Sequence, residues 1–264
     1  TNFGRNFLKN DSFSQELRLS FAPTESVNMT VGGYYFEQDS VYDSFQDIRY
    51  VSVFPLQFRQ PDPTKASAKA VFGNISWEAT DNLTLNAGVR YTDEKKAQTY
   101  FRYNLDGTVN RFVDPVGAAT GVGSAGALSG NTAYYKADRL DYRVALDYRF
   151  SPEFLAYASV ATGFKGGGSN PRPFNAGQLI PFNPEKVTAY EVGFKSDFLD
   201  RRVRLNVAAF MNDYSALQIP VLACGVPTPT SPCAARLKAL HLGIACIETR
   251  SAGGRWRGNA ACQH

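Results

Sequence analysis

Residues 190–210, "YEVGFKSDFLDRRVRLNVAAF", alternate with a period of two on both sides of a short polar turn. Tyr190, Val192, Phe194 and Phe198 fall on one parity, and Glu191, Lys195 and Asp197 on the other. After Asp200-Arg201-Arg202 the pattern resumes. Val203, Leu205, Val207, Ala209 and Met211 alternate with Arg204, Asn206 and Asn212. Successive side chains of a strand point to opposite faces, whereas a helix repeats every 3.6 residues. The stretch therefore predicts an antiparallel hairpin with one apolar and one charged face.

The same period recurs over 13–22, 27–41, 66–79, 83–100, 139–150 and 154–165, and the hairpin strands extend to 186–198 and 203–217. Leu140, Tyr142, Val144, Leu146, Tyr148 and Phe150 oppose Arg139, Asp141, Arg143, Asp147 and Arg149. An all-β fold of about eight long antiparallel strands is predicted. The connections alternate in length. "APTES" (22–26), "TDN" (80–82), "SPE" (151–153) and "LDRR" (199–202) are short and carry turn residues. Residues 42–65, 101–138 and 166–185 form long connections rich in Gly, Ser, Asn and Pro. All tight turns then lie at one end and all large loops at the other, the arrangement of a transmembrane barrel. Globular strands average about five or six residues, and a tilted spanning strand needs about nine to eleven. Several of these segments reach that length. The rival geometry is an amphipathic sheet whose apolar face covers a soluble core.

Hydrophobic residues make up 44% of the 264-residue chain. No run approaches the roughly 18 apolar residues of a membrane helix. Barrel strands escape that criterion because lipid-facing and lumen-facing residues alternate. The start, "TNFGRNFLKNDSF", has neither the basic end nor the apolar core of a signal peptide and lacks an initiator Met. This fits a cytoplasmic protein or, better, a chain that begins inside a longer one. All four Cys (224, 233, 246, 262) and both His (241, 264) lie beyond residue 223, with five Lys/Arg and one Glu. That tail carries the whole net charge of +4 and leaves 23 basic and 23 acidic residues before it. A boundary is expected at 223/224.

"YASVATGFKGGGSN" (157–170) and "FNPEKVTAYEVGFKSDFLDRRVRLNVAAFMNDYSALQI" (182–219) resemble the barrel of TonB-dependent outer-membrane receptors. The resemblance rests on Pro184, Glu185, Tyr190, Glu191, Gly193, Lys195, Leu205, Asn206, Ala208, Phe210, Asp213 and Tyr214. "SQELRLSF" (14–21), "VGGYYFEQD" (31–39) and "LTLNAGVRYTDEKK" (83–96) are similar to earlier strands of such barrels. The resemblance covers about 7–219. It implies energy-coupled uptake, in the cell outer membrane, of a large nutrient such as a ferric siderophore. The implied partners are outer-membrane lipid and the TonB complex, reached through a plug domain that this chain lacks. About eight strands of a barrel of roughly 22 are expected, an interior slice followed by a foreign, frameshifted or disordered tail at 224–264. Open edges would prevent such a slice from spanning alone. Two rival classes stay open: a passive porin-like barrel, and a soluble β-domain that binds carbohydrate.

"GVGSAG" (121–126) matches a dinucleotide fingerprint in letters but lacks the preceding strand and following helix, so it reads as loop. "GFKGGGSN" (163–170) lacks phosphate-loop spacing, and its glycines are expected to let the chain turn at the strand rim. The tail cysteines have no C-x-x-C pair, which argues against zinc. A Cys224–Cys233 disulfide is conceivable only if the tail is genuine and exported. With no His in 1–223, Asp43, Asp47, Asp93 and Glu94 have no triad partner, so catalysis, a metal and a cofactor are not expected. The tail's basic excess lacks interleaved aromatics, so no nucleic-acid partner is expected. Ligand contacts are expected from aromatic and cationic loop residues: Tyr42, Phe45, Arg49, Tyr50, Arg102, Tyr103 and Lys165. Such residues grip planar or anionic ligands by stacking and forked hydrogen bonds. Girdle aromatics on strand extensions would have the same composition.

Overall fold

The structure, a computed structural model, describes residues 3–47, 56–173 and 175–218, and the backbone alone of 237–242, 246–250 and 256–257. Eight long strands follow in order: β1 (Phe3–Thr24), β2 (Val27–Asp47), β3 (Gln57–Thr80), β4 (Leu83–Thr99), β5 (Thr132–Ser151), β6 (Phe154–Lys165), β7 (Glu185–Phe198) and β8 (Val203–Ser215). Each pairs antiparallel with its chain neighbours, so sheet order equals sequence order. Two short strands, β9 (Leu237–Leu242) and β10 (Cys246–Arg250), run along the far side of β8, and β11 (Trp256–Arg257) pairs with β10. Among the described residues β1 pairs with β2 alone, so the sheet is open. The rest of the tail, with the Cys224–Cys233 pair, lies outside the described residues.

Register turns the alternation of single strands into continuous faces. Leu17, Gly33, Val71, Tyr91 and Leu140 form one cross-strand row, and Leu19, Val31, Gly73, Val89 and Tyr142 the next. Val144, Val160, Tyr190 and Met211 continue the band to β8. Among the described residues no second layer covers it: Val71, Val89, Leu140 and Val192 are between 55% and 63% exposed. A band of that extent facing water would be unstable, and facing hydrocarbon it is the stable arrangement. The sheet thus has its core on the lipid side. The buried apolar cluster of the chain itself, Tyr100, Leu128 and Ala133 with Leu179, sits above the sheet among the long connections.

The turns at one end are tight: 25–26, 81–82, 152–153 and 199–202. In the second, the Thr80 hydroxyl accepts from the amides of Asn82 (3.3 Å) and Leu83 (3.1 Å). In the fourth, Leu199, Asp200 and Arg201 all take positive φ, an unusual run for non-glycine residues.

The expected segments all form strands, but four run further than predicted, all at the loop end. β1 begins at Phe3, β2 ends at Asp47, β3 begins at Gln57 and β5 begins at Thr132. The first long connection therefore shrinks from 42–65 to 48–56, and the second from 101–138 to 100–131. Above the bilayer both faces meet water, so pairing continues after the alternation that marks it has ended.

Candidate functional site

The five described ligand candidates do not converge on one surface, and Arg49 and Tyr50 lie outside the described residues. Tyr42 stands on the polar face, opposite Asp62 of β3. Phe45 stands on the other face and lines a shallow hollow with Arg5, Phe7, Asp43 and Arg59. There Arg59 donates to Asp43 through a fork that holds the Asp43 carboxyl below its ordinary range. A two-way backbone bridge to Arg59 (2.8 and 2.9 Å) puts Tyr103 on the Phe45 side, with its ring stacked on Phe101 at 5.4 Å. Lys165 ends β6 on the polar face, exposed, opposite Glu185.

Arg102 is committed elsewhere. Its side chain is 3% exposed and donates through one nitrogen to both Asp62 oxygens at 3.0 Å. The same nitrogen reaches the Phe101 carbonyl (2.6 Å), and the other terminal nitrogen lies 3.5 Å from the Pro173 carbonyl. Asp62 also accepts from the Phe101 amide at 2.8 Å. Burial pushes the Asp62 carboxyl above its ordinary range, against the opposing pull of Arg102 and that amide. This pair ties the 100–131 connection to β3 and to the 166–184 connection. Tyr100 donating to the Asn170 carbonyl (2.8 Å) strengthens the second tie, and Ser169 to Gln98 (3.0 Å) and Lys96 to the Gly167 carbonyl (3.0 Å) hold 166–184 to β4 as well.

Within 100–131 the chain forms a short helix, α1 (Pro115–Thr120), where only loop was expected. Asp114 caps it. Its carboxylate accepts from the amides of Gly117 (2.9 Å), Leu128 (3.0 Å) and Ser129 (2.7 Å). Burial alone would raise this carboxyl, but the three amides outweigh it and hold it below the ordinary range. "GVGSAG" follows the helix as loop, with Gly121, Gly123 and Gly126 at positive φ. No cofactor cradle of strand–loop–helix form exists there. In "GFKGGGSN" the glycines have a different reason from the one expected. Gly166, Gly167 and Gly168 do not adopt positive φ. A Cβ on Gly166 would meet the Glu94 carboxylate at 2.2 Å, and one on Gly167 the Phe182 carbonyl at 2.2 Å. They are there for close approach, not for turning.

The polar face holds a group that sequence reasoning missed. Arg18 on β1, Gly32 on β2, Phe72 on β3 and Arg90 on β4 form one cross-strand row. The Phe72 ring lies over Gly32, where a Cβ would approach it to 2.4 Å. Arg18 and Arg90 stand 5.9 and 5.7 Å from the Phe72 centroid, and Arg90 is 5.3 Å from that of Tyr34. Arg143 on β5 faces Gly88, diagonal to Arg90. Several carboxylates on this wall have partners within it: Glu16 takes Arg18, Asp141 takes Arg139 (3.2 Å) and Thr162 (3.1 Å), Asp147 takes Asn86 (2.9 Å) and Glu191 takes Tyr157 (2.6 Å). Among the described residues no carboxylate comes within ion-pair distance of Arg90 or Arg143. Their residues are scattered between positions 18 and 143, so no local motif could have revealed the group; the register assembles it.

Comparison with known proteins accounts for this architecture. The family model for TonB-dependent receptor-like β-barrels matches residues 1–246, past the composition break at 223. The pesticin receptor of Yersinia pestis is 24% identical over 156 residues, 59% of this chain and 20% of that protein. The ferric yersiniabactin uptake receptor FyuA from Yersinia pestis shares the fold with a TM-score of 0.71 at 20% identity, over 94% of this chain and 34% of that one. The ferric citrate transporter FecA gives a TM-score of 0.54 at 14% identity, over 94% and 32%. The chain thus spans a fifth to a third of the length of these relatives. Long antiparallel strands, a lipid-facing band, segregated loops and the family match agree: this chain belongs to the TonB-dependent receptor-like β-barrel family of the outer membrane.

Proposed function

We propose that the chain supplies part of the barrel wall, over residues 1–223, of a receptor that imports a ferric siderophore. Import is driven by the TonB complex acting through a plug domain. The observation that carries this reading is the fold likeness to a ferric yersiniabactin uptake receptor along nearly the whole chain. The polar wall, with arginines left free of carboxylates, suits an iron chelate bearing negative charge. The work is recognition and transport without covalent change, so the free energy lies in binding and in the pull on the plug. Tyr42 and Lys165, on the polar face, enter as contacts at the loop end, with Arg49 and Tyr50, whereas Phe45 and Tyr103 stand on the opposite face and are not assigned to the same ligand. Arg102 belongs with them as the group that holds the loops in place.

The experiment is deletion of the intact gene in its own host, followed by radioactive-iron uptake under iron limitation with a panel of ferric siderophores. Loss of uptake for one chelate, restored by the gene and abolished when TonB is removed, is expected. Unchanged uptake of every chelate, with loss of growth on a glycan or cobalamin instead, would reassign the cargo.

A further inference from the structure

We infer that the outward face of β3–β5, immediately above the apolar band, docks the phosphorylated sugar headgroup of an outer-leaflet glycolipid through Ser67, Lys69, Lys95, Tyr134 and Lys136. This surface faces away from the lumen and stands whatever cargo the receptor imports. Ser67, Lys95 and Lys136 form one cross-strand row, on the parity of Val71, Tyr91 and Leu140. Lys95 and Lys136 are direct cross-strand partners, which holds their Cβ atoms about 4.5–5.5 Å apart. Like charges placed in that way destabilise a sheet in water. A phosphate between the two ammoniums turns the repulsion into two charge-assisted hydrogen bonds. Lys69 stands on the diagonal from Lys95, one row nearer the membrane, with its ammonium 5.8 Å from the centre of the Tyr35 ring. Tyr134, exposed, lies two positions beyond Lys136 toward the loops on the same face.

The carboxylates of this face leave the cations in excess. Lys95 has one within reach, Asp93 at 3.9 Å, and among the described residues none comes within ion-pair distance of Lys69 or Lys136. Asp39 holds Lys65 (3.6 Å), and Glu37 accepts from the Tyr35 hydroxyl (2.8 Å). On β1 and β2 these three rows carry Asp11, Glu37 and Asp39. On β3 to β5 they carry Lys65, Lys69, Lys95 and Lys136 against Asp93 and Asp138. Charge is thus sorted along the rows, with its basic end on the later strands.

Height selects the kind of lipid. Tyr91, Tyr142 and Tyr190 are exposed on the outward face and step down from row to row, as the girdle of a tilted barrel does at the membrane rim. Lys95 lies four residues from Tyr91 and Lys136 six from Tyr142, both toward the loops. At about 3.4 Å per residue and a tilt near 40°, their Cα atoms stand roughly 10 and 15 Å above the girdle. A phospholipid headgroup layer is about 5–7 Å deep, taken as half the difference between total and hydrocarbon thickness. A headgroup of phosphorylated sugars is deeper, and lysine stems reach down to meet it. The surface is continuous with the lipid-facing band, so a glycolipid with its chains on Val71, Val89 and Leu140 presents its headgroup here.

The test uses the intact receptor in an uncharged detergent, with retained lipid counted by native mass spectrometry. The probes are a rough lipopolysaccharide carrying its phosphates, the same lipid dephosphorylated, phosphatidylglycerol and inorganic phosphate. The wild type is expected to hold the phosphorylated glycolipid about ten-fold or more tighter than the dephosphorylated one, the value of one hydrogen bond to a charged group. Lys95→Gln with Lys136→Gln should remove that preference, and Lys95→Arg with Lys136→Arg should keep it. Lys9→Gln, on the same face of β1, should leave it unchanged. Heat-modifiable gel migration checks that each barrel is folded, and Lys136→Gln alone carries the test if the double Gln variant is not. No preference in the wild type, a preference that survives the Gln variants, or equal retention of phosphatidylglycerol overturns the inference. Displacement of the glycolipid by inorganic phosphate would assign the pair to a free anion and overturn it as well. A wild type that imports no ferric siderophore yet keeps the preference would remove the uptake reading and leave this one.

Discussion

Arg102→Ala removes the cation from a carboxylate that is almost fully buried. Asp62 would keep a single donor, the Phe101 amide at 2.8 Å. Its side chain is 1% exposed, so water cannot replace the lost guanidinium without opening the cluster. Breaking a buried pair from one side costs about 3–5 kcal/mol. At 1.36 kcal/mol per decade, that raises the local opening equilibrium constant by about two to four powers of ten. The effect should be confined to the loop assembly, because the ladder below it is held separately. Hydrogen exchange with mass spectrometry reads it directly. The amides of Arg102, Tyr103 and Gly130, bonded to Ser129, Arg59 and Tyr100 respectively, should lose protection, while those of 83–92 should not. Because burial already pushes the Asp62 carboxyl up, protonation relieves the defect, so the loss should shrink as pH falls. Asp62→Leu combined with Arg102→Met removes both charges and should recover most of the protection. Unchanged exchange in Arg102→Ala, or a double variant as damaged as the single, refutes the reasoning.

Three further outcomes follow from local geometry. Gly193→Ala places a Cβ 2.6 Å from the Val207 carbonyl and 2.7 Å from the Tyr157 ring, so it should lower the folded fraction on heat-modifiability gels. Gly73→Ala, whose nearest neighbour is at 3.9 Å, should not. The Asp114 carboxyl is held below its ordinary range, so its contribution is present above its unfolded value and lost as pH falls through its folded one. Limited proteolysis within 115–129 should therefore accelerate in acid, and Asp114→Asn, whose side-chain nitrogen cannot accept from the Ser129 amide, should raise sensitivity at neutral pH, costing about 1–3 kcal/mol. Arg201→Gly relieves one positive-φ residue in the β7–β8 turn and should raise stability by about 1 kcal/mol, seen as a higher denaturation midpoint.

What could be read from the sequence was what lipid imposes. Between Val71 and Trp77, or Leu140 and Tyr148, every second side chain must be apolar, and that constraint writes itself locally. Where lipid ends, so does the signal. Residues 57–65 and 132–138 pair as regularly as the rest but carry Pro, Lys and Asp in no fixed order, so they read as loop. Helix α1 had a usable mark, Asp114 followed by Pro115, an N-cap with proline at the first helical position. The glycine-rich surroundings masked it. Arg102 was read by its residue type as a ligand contact; its partner, 40 residues earlier in the chain, is what turns it inward. The Arg18–Phe72–Arg90 row needs three strand registers to exist, and no window of sequence contains it.

The fold assignment requires that the even-numbered side chains of β5 from Leu140 to Tyr148 touch hydrocarbon. Nitroxide labels placed singly at 139–148 in the receptor, reconstituted in lipid, test it through collision with oxygen and with a water-soluble nickel chelate. Oxygen access should peak at 140, 142, 144, 146 and 148, with nickel access peaking at 139, 141, 143 and 147. Uniform access along the strand, or the two probes exchanging parity, would contradict the account.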